Sequence, residues 1–177
     1  LEVIKTNYNN RNPQGAFYEI GNEYIPTGPD TLPDENPQVT IGLYGENEDF
    51  YSLKGIVEGL LDAGNIRDWD IEPVSDDPTF HPGRTARILK DGEVLGIFGE
   101  VHPTVAENYG IGAKVYLGKF DLKTMFRLSD SVKTYKPLPK FPASTRDLSL
   151  LADKALPIIE IEKAIKKAIS NILEEVK

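Results

Sequence analysis

The spacing of apolar residues along the chain predicts one long helix set among several short strands. Between residues 53 and 61 the apolar side chains recur at three- and four-residue intervals, which places them on one helical face. These residues are Leu53, Ile56, Val57, Leu60 and Leu61. Ser52 is the expected N-cap of this helix, and Gly64 is the expected residue just beyond its C-terminus.

Strands are predicted where apolar residues alternate with polar ones, or where short β-branched and aromatic runs lie between turn residues. The predicted strands are residues 17–25, 39–44, 69–74, 86–89, 94–98 and 115–120. Asn7–Gln14 and the proline-rich segment Pro26–Pro37 are predicted loops. Because strands predominate and one strong helix accompanies them, residues 1–130 are expected to form an α+β domain with a mainly antiparallel sheet and flanking helices.

The segment Thr79–Pro103 contains a predicted β-hairpin and both histidines of the chain. Asp91-Gly92 separates two apolar runs and is typical of a type I′ turn. His81-Pro82 precedes the hairpin, and His102-Pro103 follows it, with Pro103 at the start of a short helix that Gly110 would end. One hypothesis is a metal or hydrolytic site at His81 and His102. The alternative is that both His-Pro pairs only cap strand ends, because their spacing matches no common zinc motif.

Residues 131–140 have the composition of a linker, and a different pattern follows them. In residues 141–177, we expect one strand, Asp147–Leu151, and one amphipathic helix, Pro157–Val176. A single strand and a single helix cannot enclose a core of their own. This second part is therefore expected to need a partner, and its exposed apolar helix face would favour self-association of the chain.

The distribution of charged residues also changes near residue 130. The net charge is −8 overall, but residues 1–130 carry 22 acidic and 11 basic side chains, whereas residues 131–177 carry 6 and 9. The basic part offers phosphate contacts from Lys136, Lys140 and Arg146. In the acidic part, Arg84 and His81 are the candidates for a small ligand site. The absence of cysteine excludes disulfides and thiol catalysis.

Five stretches, in this order, resemble the C-terminal part of the β subunit of bacterial-type phenylalanyl-tRNA synthetase. They are Phe17–Gly21, Asp49–Gly55, His81–Ala86, Gly96–Pro103 and Lys140–Leu148. Each stretch alone is a weak signal, but their order and spacing extend over nearly the whole chain. The beginning at Leu1 is consistent with a fragment of such a subunit.

The resemblance implies a class II aminoacyl-tRNA synthetase-like sheet over residues 1–130, followed by a truncated ferredoxin-like piece of the anticodon-binding domain. It also implies a non-catalytic role beside the catalytic α subunit in an (αβ)₂ heterotetramer that binds tRNA-Phe in the cytoplasm. ATP and Mg²⁺ would serve the whole enzyme, with no cofactor in this fragment. Glu19 falls on a strand similar to motif 2, but the matching arginine is absent from its expected position, so no catalytic residue is assigned.

Two other functions fit parts of the sequence. A small metal-dependent hydrolase would use His81 and His102, and a stand-alone RNA-binding protein would use the basic part of the chain. No apolar run approaches the roughly 18 residues of a membrane-spanning helix, so no membrane partner is expected.

Overall fold

The computed structural model describes residues 1–130, 135, 137, 140–169, 172–174 and 176. The chain divides into two compact units, Leu1–Lys133 and Thr134–Lys177. Within the described residues there is no helix with the length and apolar character needed to cross a bilayer.

The first unit is a six-stranded, wholly antiparallel sheet with four helices. The sheet order is β1-β2-β6-β5-β4-β3. In chain order the elements are α1 (Glu2–Asn9), β1 (Gly15–Ile25), β2 (Asp34–Tyr44), α2 (Phe50–Ala63), β3 (Asp70–Pro73), β4 (Phe80–Lys90), β5 (Glu93–Val101), α3 (Pro103–Asn108), β6 (Val115–Asp121) and α4 (Leu122–Leu128).

Helix α2 buries its apolar stripe against one side of the sheet, which we call the covered face. Leu53, Val57 and Leu61 are fully buried there and pack with Phe98 and Phe120 in the main core. The predicted helix is confirmed, but its ends differ from the prediction. Asp49, not Ser52, is the N-cap, and the two residues form a reciprocal capping box, which satisfies otherwise unpaired N–H groups. Gly64 is right-handed, so the left-handed turn falls on Asn65.

The covered face is closely packed because two phenylalanines lie opposite glycines. Phe98 of β5 pairs with Gly118 of β6, and Phe120 of β6 pairs with Gly96 of β5. A Cβ atom on Gly96 would lie only 2.3 Å from the Phe120 ring. A Cβ atom on Gly118 would lie 2.9 Å from the same ring, so both glycines leave room for Phe120.

A second cluster of buried residues lies on the opposite side of the sheet, beneath α1 and α3. Ile4, Tyr44, Ala106, Ile111 and Val115 form this cluster. The sequence pattern missed α1, since Asn7–Gln14 was expected to be a loop, yet the helix continues to Asn9. Packing of Ile4 against the sheet explains the difference, because burial of an apolar residue can offset weak helix propensity.

The hairpin predicted around Asp91-Gly92 is confirmed. Both residues have positive φ, 52° and 81°, as a type I′ turn requires. Strand β2, however, begins at Asp34 and includes Pro37, so the predicted loop Pro26–Pro37 is too long. At Pro37 the strand has a neighbour only on the β1 side, which is where a strand tolerates proline.

The second unit contains one helix among its described residues, α5 (Ile158–Ile169). The predicted strand Asp147–Leu151 is wrong, because none of these residues is in a strand, and Leu148, Leu150 and Leu151 are exposed. None of the described residues after Asp130 is buried. A strand needs a paired neighbour and an apolar layer to cover it, and the described part of this unit supplies neither.

We predict opposite stability changes for two alanine substitutions at equally uncrowded glycines. A Cβ added at Gly55 or at Gly92 meets no atom within 4 Å, but Gly92 has a φ of +81° and Gly55 lies within α2. Gly55→Ala should raise the free energy of unfolding by about 0.5–1 kcal/mol. Gly92→Ala should lower it by about 1–2 kcal/mol. Urea unfolding of both variants tests this; equal changes would contradict the assigned turn.

Candidate functional site

The base of the hairpin forms a wide bulge that presents the candidate ligand residues. Phe80 pairs with Val101 and Thr85 with Gly99, so residues 81–84 lie opposite Glu100 alone. Inside the bulge, the Gly83 N–H donates to His81 Nδ1 at 3.1 Å, and the Thr85 hydroxyl donates to the His81 carbonyl at 2.7 Å. Bulges of this kind redirect side chains, and here the redirected side chain is Arg84.

Arg84 reaches across the covered face to a buried carboxylate. Its Nη1 donates to both oxygens of Glu100, at 3.0 and 2.8 Å, and Glu100 is only 4% exposed. The hydrogen bond and charge of Glu100 raise the pKa of Arg84 above its ordinary value. Burial, together with the Glu100 carboxylate, raises the pKa of the adjacent Tyr116 phenol. Because its guanidinium already serves a buried carboxylate, Arg84 is engaged within the fold.

The two histidines approach the same end of the hairpin but serve local roles. The His102 N–H donates to the Thr79 carbonyl at 2.9 Å, which holds the ends of the hairpin together. His102 Nδ1 accepts from the Thr104 N–H and caps α3, as His81 Nδ1 caps the bulge. In the part of the chain that the structure describes, no three His, Cys, Asp or Glu side chains are grouped to hold a metal ion. This arrangement favours capping over a metal-dependent hydrolase.

The opposite side of the sheet is called the open face here, and beyond the cluster beneath α1 and α3 it is largely polar. Among the described helices of the first unit, none covers this part of it. One row of cross-strand neighbours extends over all six strands. Its members are Glu72, Arg87, Ile97, Lys119, Thr40 and Glu19. Arg87 pairs with Glu72 at 2.8 Å, and Lys119 pairs with Glu23 at 2.9 Å. The cations of this row are therefore neutralised by acidic neighbours.

The candidate RNA contacts lie in the second unit. Lys140 and Arg146 are exposed, and the Arg146 guanidinium donates to the Ser144 hydroxyl and the Thr145 carbonyl. Lys136 lies outside the described residues. Phe141, adjacent to Lys140, is 81% exposed, so an aromatic ring is accessible beside a cation.

Sequence patterns missed the exposed side of β1. Tyr18, Ile20 and Tyr24 share the covered face with the core residues of β2, yet 60–78% of each side chain is exposed. The aromatic and β-branched residues of 17–25 predicted this strand, but the pattern alone could not show that α2 and α4 stop short of it.

Comparison with known proteins identifies relatives. Residues 1–122 match the family model described as "Phenylalanyl tRNA synthetase beta chain CLM domain". The phenylalanine–tRNA ligase beta subunit of Clostridium tetani is 40% identical over 178 residues, covering 100% of this chain and 22% of that protein. The corresponding subunit of Bacillus subtilis is 36% identical, covering 99% of this chain and 23% of its own length. The chain thus spans about a fifth of these relatives.

The architecture is shared with a class II synthetase. A crystal structure of pyrrolysyl-tRNA synthetase from Desulfitobacterium hafniense superimposes with a TM-score of 0.56 at 19% identity, covering 71% of this chain and 46% of that one. At this identity the likeness shows the fold alone. The antiparallel sheet of class II type with flanking helices, predicted from the sequence, is confirmed for the first unit.

We predict that Arg84 matters for stability and that Arg87 matters less. Arg84→Met leaves the buried Glu100 without its cation and should lower the midpoint of thermal unfolding clearly. Arg87→Met removes an equal charge, but its partner Glu72 is half exposed and remains hydrated, so a small change is expected. Adding Glu100→Gln to Arg84→Met should recover much of the loss. Equal midpoints for the two single variants would contradict a structural role of Arg84.

Proposed function

The chain belongs to the family of phenylalanyl tRNA synthetase β chain CLM domains, and from this premise we propose that it is a non-catalytic structural part of a phenylalanine–tRNA ligase β subunit. In this proposal it supports a catalytic α subunit in an (αβ)₂ heterotetramer and assists the binding of tRNA-Phe. The whole enzyme would carry out ATP-dependent aminoacylation in the cytoplasm, with ATP and Mg²⁺ bound outside this segment.

The charge arrangement on the open face is the observation that carries the non-catalytic assignment. Transfer chemistry on ATP requires cations that neutralise the phosphates. The two cations in the row across the open face, Arg87 and Lys119, are each paired with a carboxylate. Glu19, which takes part in no described ion pair, further opposes a triphosphate on the β1 side. The class II-like sheet therefore supports assembly better than adenylate formation.

We assign the second unit to the start of a ferredoxin-fold anticodon-binding domain. This unit has exposed leucines and an amphipathic helix, α5. In a ferredoxin fold, such apolar surface would be buried against further strands. Lys136, Lys140 and Arg146 would then contact tRNA phosphates.

The assembly proposal predicts that the purified chain lacks phenylalanine-dependent ATP–pyrophosphate exchange and co-purifies with the α subunit of the same enzyme. Both are expected because the chain would contribute structure while the α subunit supplies the reactive site. Co-expression with a tagged α subunit, followed by size-exclusion chromatography, measures the association. Exchange activity of the chain alone, or its failure to elute with the α subunit, would contradict the proposal.

The tRNA proposal predicts weak, salt-sensitive binding that depends on the second unit. Replacing Lys140 and Arg146 with alanine should weaken binding of tRNA-Phe and reduce the slope of log affinity against log salt by about 1–2. The control replaces two exposed lysines of the first unit, Lys114 and Lys123, and removes the same charge. Filter binding at several salt concentrations gives both slopes. Equal losses in the two variants would show only a general charge effect.

A further inference from the structure

The two edges of the sheet differ in how well they are protected from further strand pairing. Strand β3 forms one edge with four residues, the last of which is Pro73. Strand β1 forms the other with eleven residues, Gly15–Ile25, and contains no proline. Natural proteins usually shorten or block an exposed edge, since its free N–H and C=O groups can pair with another chain. The long edge of β1 is therefore a surface that needs an explanation.

The side chains of β1 form two distinct stripes. On the covered face, Tyr18, Ile20 and Tyr24 are 78%, 64% and 60% exposed, although Ile41 and Val39, the β2 neighbours of Tyr18 and Ile20, are buried. On the open face, Glu19 and Glu23 lie four residues apart. A strand that added to this edge would meet apolar groups on one side and carboxylates on the other.

The surroundings of this edge are uniformly acidic in sequence. Between Arg11 and Lys54 the chain has eight acidic residues and no lysine, arginine or histidine. Lys119 of β6 compensates Glu23, but no described ion pair involves Glu19. A nucleic acid would be repelled here, because its binding depends on phosphate neutralisation by cations. A second copy pairing through β1 would bring four carboxylates onto one side of the joint sheet, which is also unfavourable.

We propose that β1 is a docking strand that adds an extended segment of a protein partner with alternating apolar and basic side chains. Two basic residues, four positions apart, would face Glu19 and Glu23. The apolar residues between and beside them would cover Tyr18, Ile20 and Tyr24. Backbone pairing supplies affinity in this mode, and the alternating side chains supply specificity. This proposal rests on the proposed function, because the α subunit is the partner to be tested.

The test compares variants of the whole chain for their affinity toward the purified α subunit. One variant, Tyr18→Ser with Ile20→Lys, removes the apolar stripe and places a charge on the edge. A second, Glu19→Lys, reverses one carboxylate. The matched control, Tyr51→Ser with Phe126→Ser, removes two aromatic rings of similar exposure, 74% and 73%, from α2 and α4. All substituted side chains are exposed, and thermal unfolding checks that each variant folds.

We expect the apolar-stripe variant to bind at least about tenfold more weakly, since buried aromatic anchors contribute most of an interface's affinity. Glu19→Lys should weaken binding and reduce its salt dependence. The control should stay within about twofold of the unsubstituted chain. Hydrogen exchange of the unsubstituted complex should slow at alternate amides of β1, because only every second N–H points toward an added strand.

Other results would overturn the inference in distinguishable ways. If the unsubstituted chain binds the α subunit and the β1 variants bind equally well, the docking strand is wrong and the proposed function stands. If the unsubstituted chain does not bind the α subunit, the proposed assembly role fails and the inference fails with it. If the chain forms a dimer and Ile20→Lys dissociates it, the strand that pairs with β1 belongs to a second copy of the chain. A change in tRNA affinity alone would identify nucleic acid.

Discussion

The central strands β5 and β6 depend on the pairing of each phenylalanine with a glycine on the other strand. Phe98 lies opposite Gly118, and Phe120 lies opposite Gly96, and the Phe120 ring fills the space that side chains on both glycines would otherwise occupy. Phe98 also stacks on Phe50 of α2 at a centroid distance of 5.2 Å. This contact sets how closely α2 approaches the sheet. Together α2 and α4 cover one face of β2, β5 and β6, and the functional surfaces must lie elsewhere.

The covering of one face of the sheet explains why the ion pairs on its two faces differ in their contribution to stability. Arg84 and Glu100 lie at the covered side, where a carboxylate excluded from water requires a cation, and their contact stabilises the hairpin base. Arg87 and Lys119 lie on the open face, where water competes and each ion pair contributes little. Arg84 and Arg87 therefore contribute differently to the stability of the fold, although both are arginines paired with a glutamate. Burial, rather than residue identity, separates the structural ion pair from the surface ones.

A class II-like sheet that serves assembly would have to keep its fold while its surface changes. The features that maintain the fold here are internal: the phenylalanine–glycine pairs, the capping box of α2 and the turn at Asp91-Gly92. The features assigned to function are external, namely the acidic β1 edge and the cations of the second unit. Because the two sets share no residues, the surface could diverge without loss of the core.

Much of the first unit could be predicted from local patterns, because its signals are short-range. The helical spacing from Leu53 to Leu61 predicted α2, and Asp91-Gly92 predicted the hairpin turn, since both depend on residues close in sequence. The weak helix α1 and the start of β2 at Asp34 were missed. Each is stabilised by a neighbouring element, Ile4 by the sheet and Asp34 by pairing with Ile25. Asp147–Leu151 failed for the opposite reason, because no strand is described beside it.

The sequence by itself determined the fold class, the hairpin and the family resemblance. Tertiary structure decided the role of Arg84. If pairing continued regularly from the turn, Arg84 would lie opposite Gly99. Between Leu89 and Ile88, however, β5 contains one extra residue, Leu95. This shift of the register places Arg84 opposite Glu100. A single inserted residue changes which side chains meet, because strand neighbours alternate between faces. Tertiary structure likewise showed that β1 is a long, exposed edge, since the order of strands depends on contacts between residues far apart in the chain.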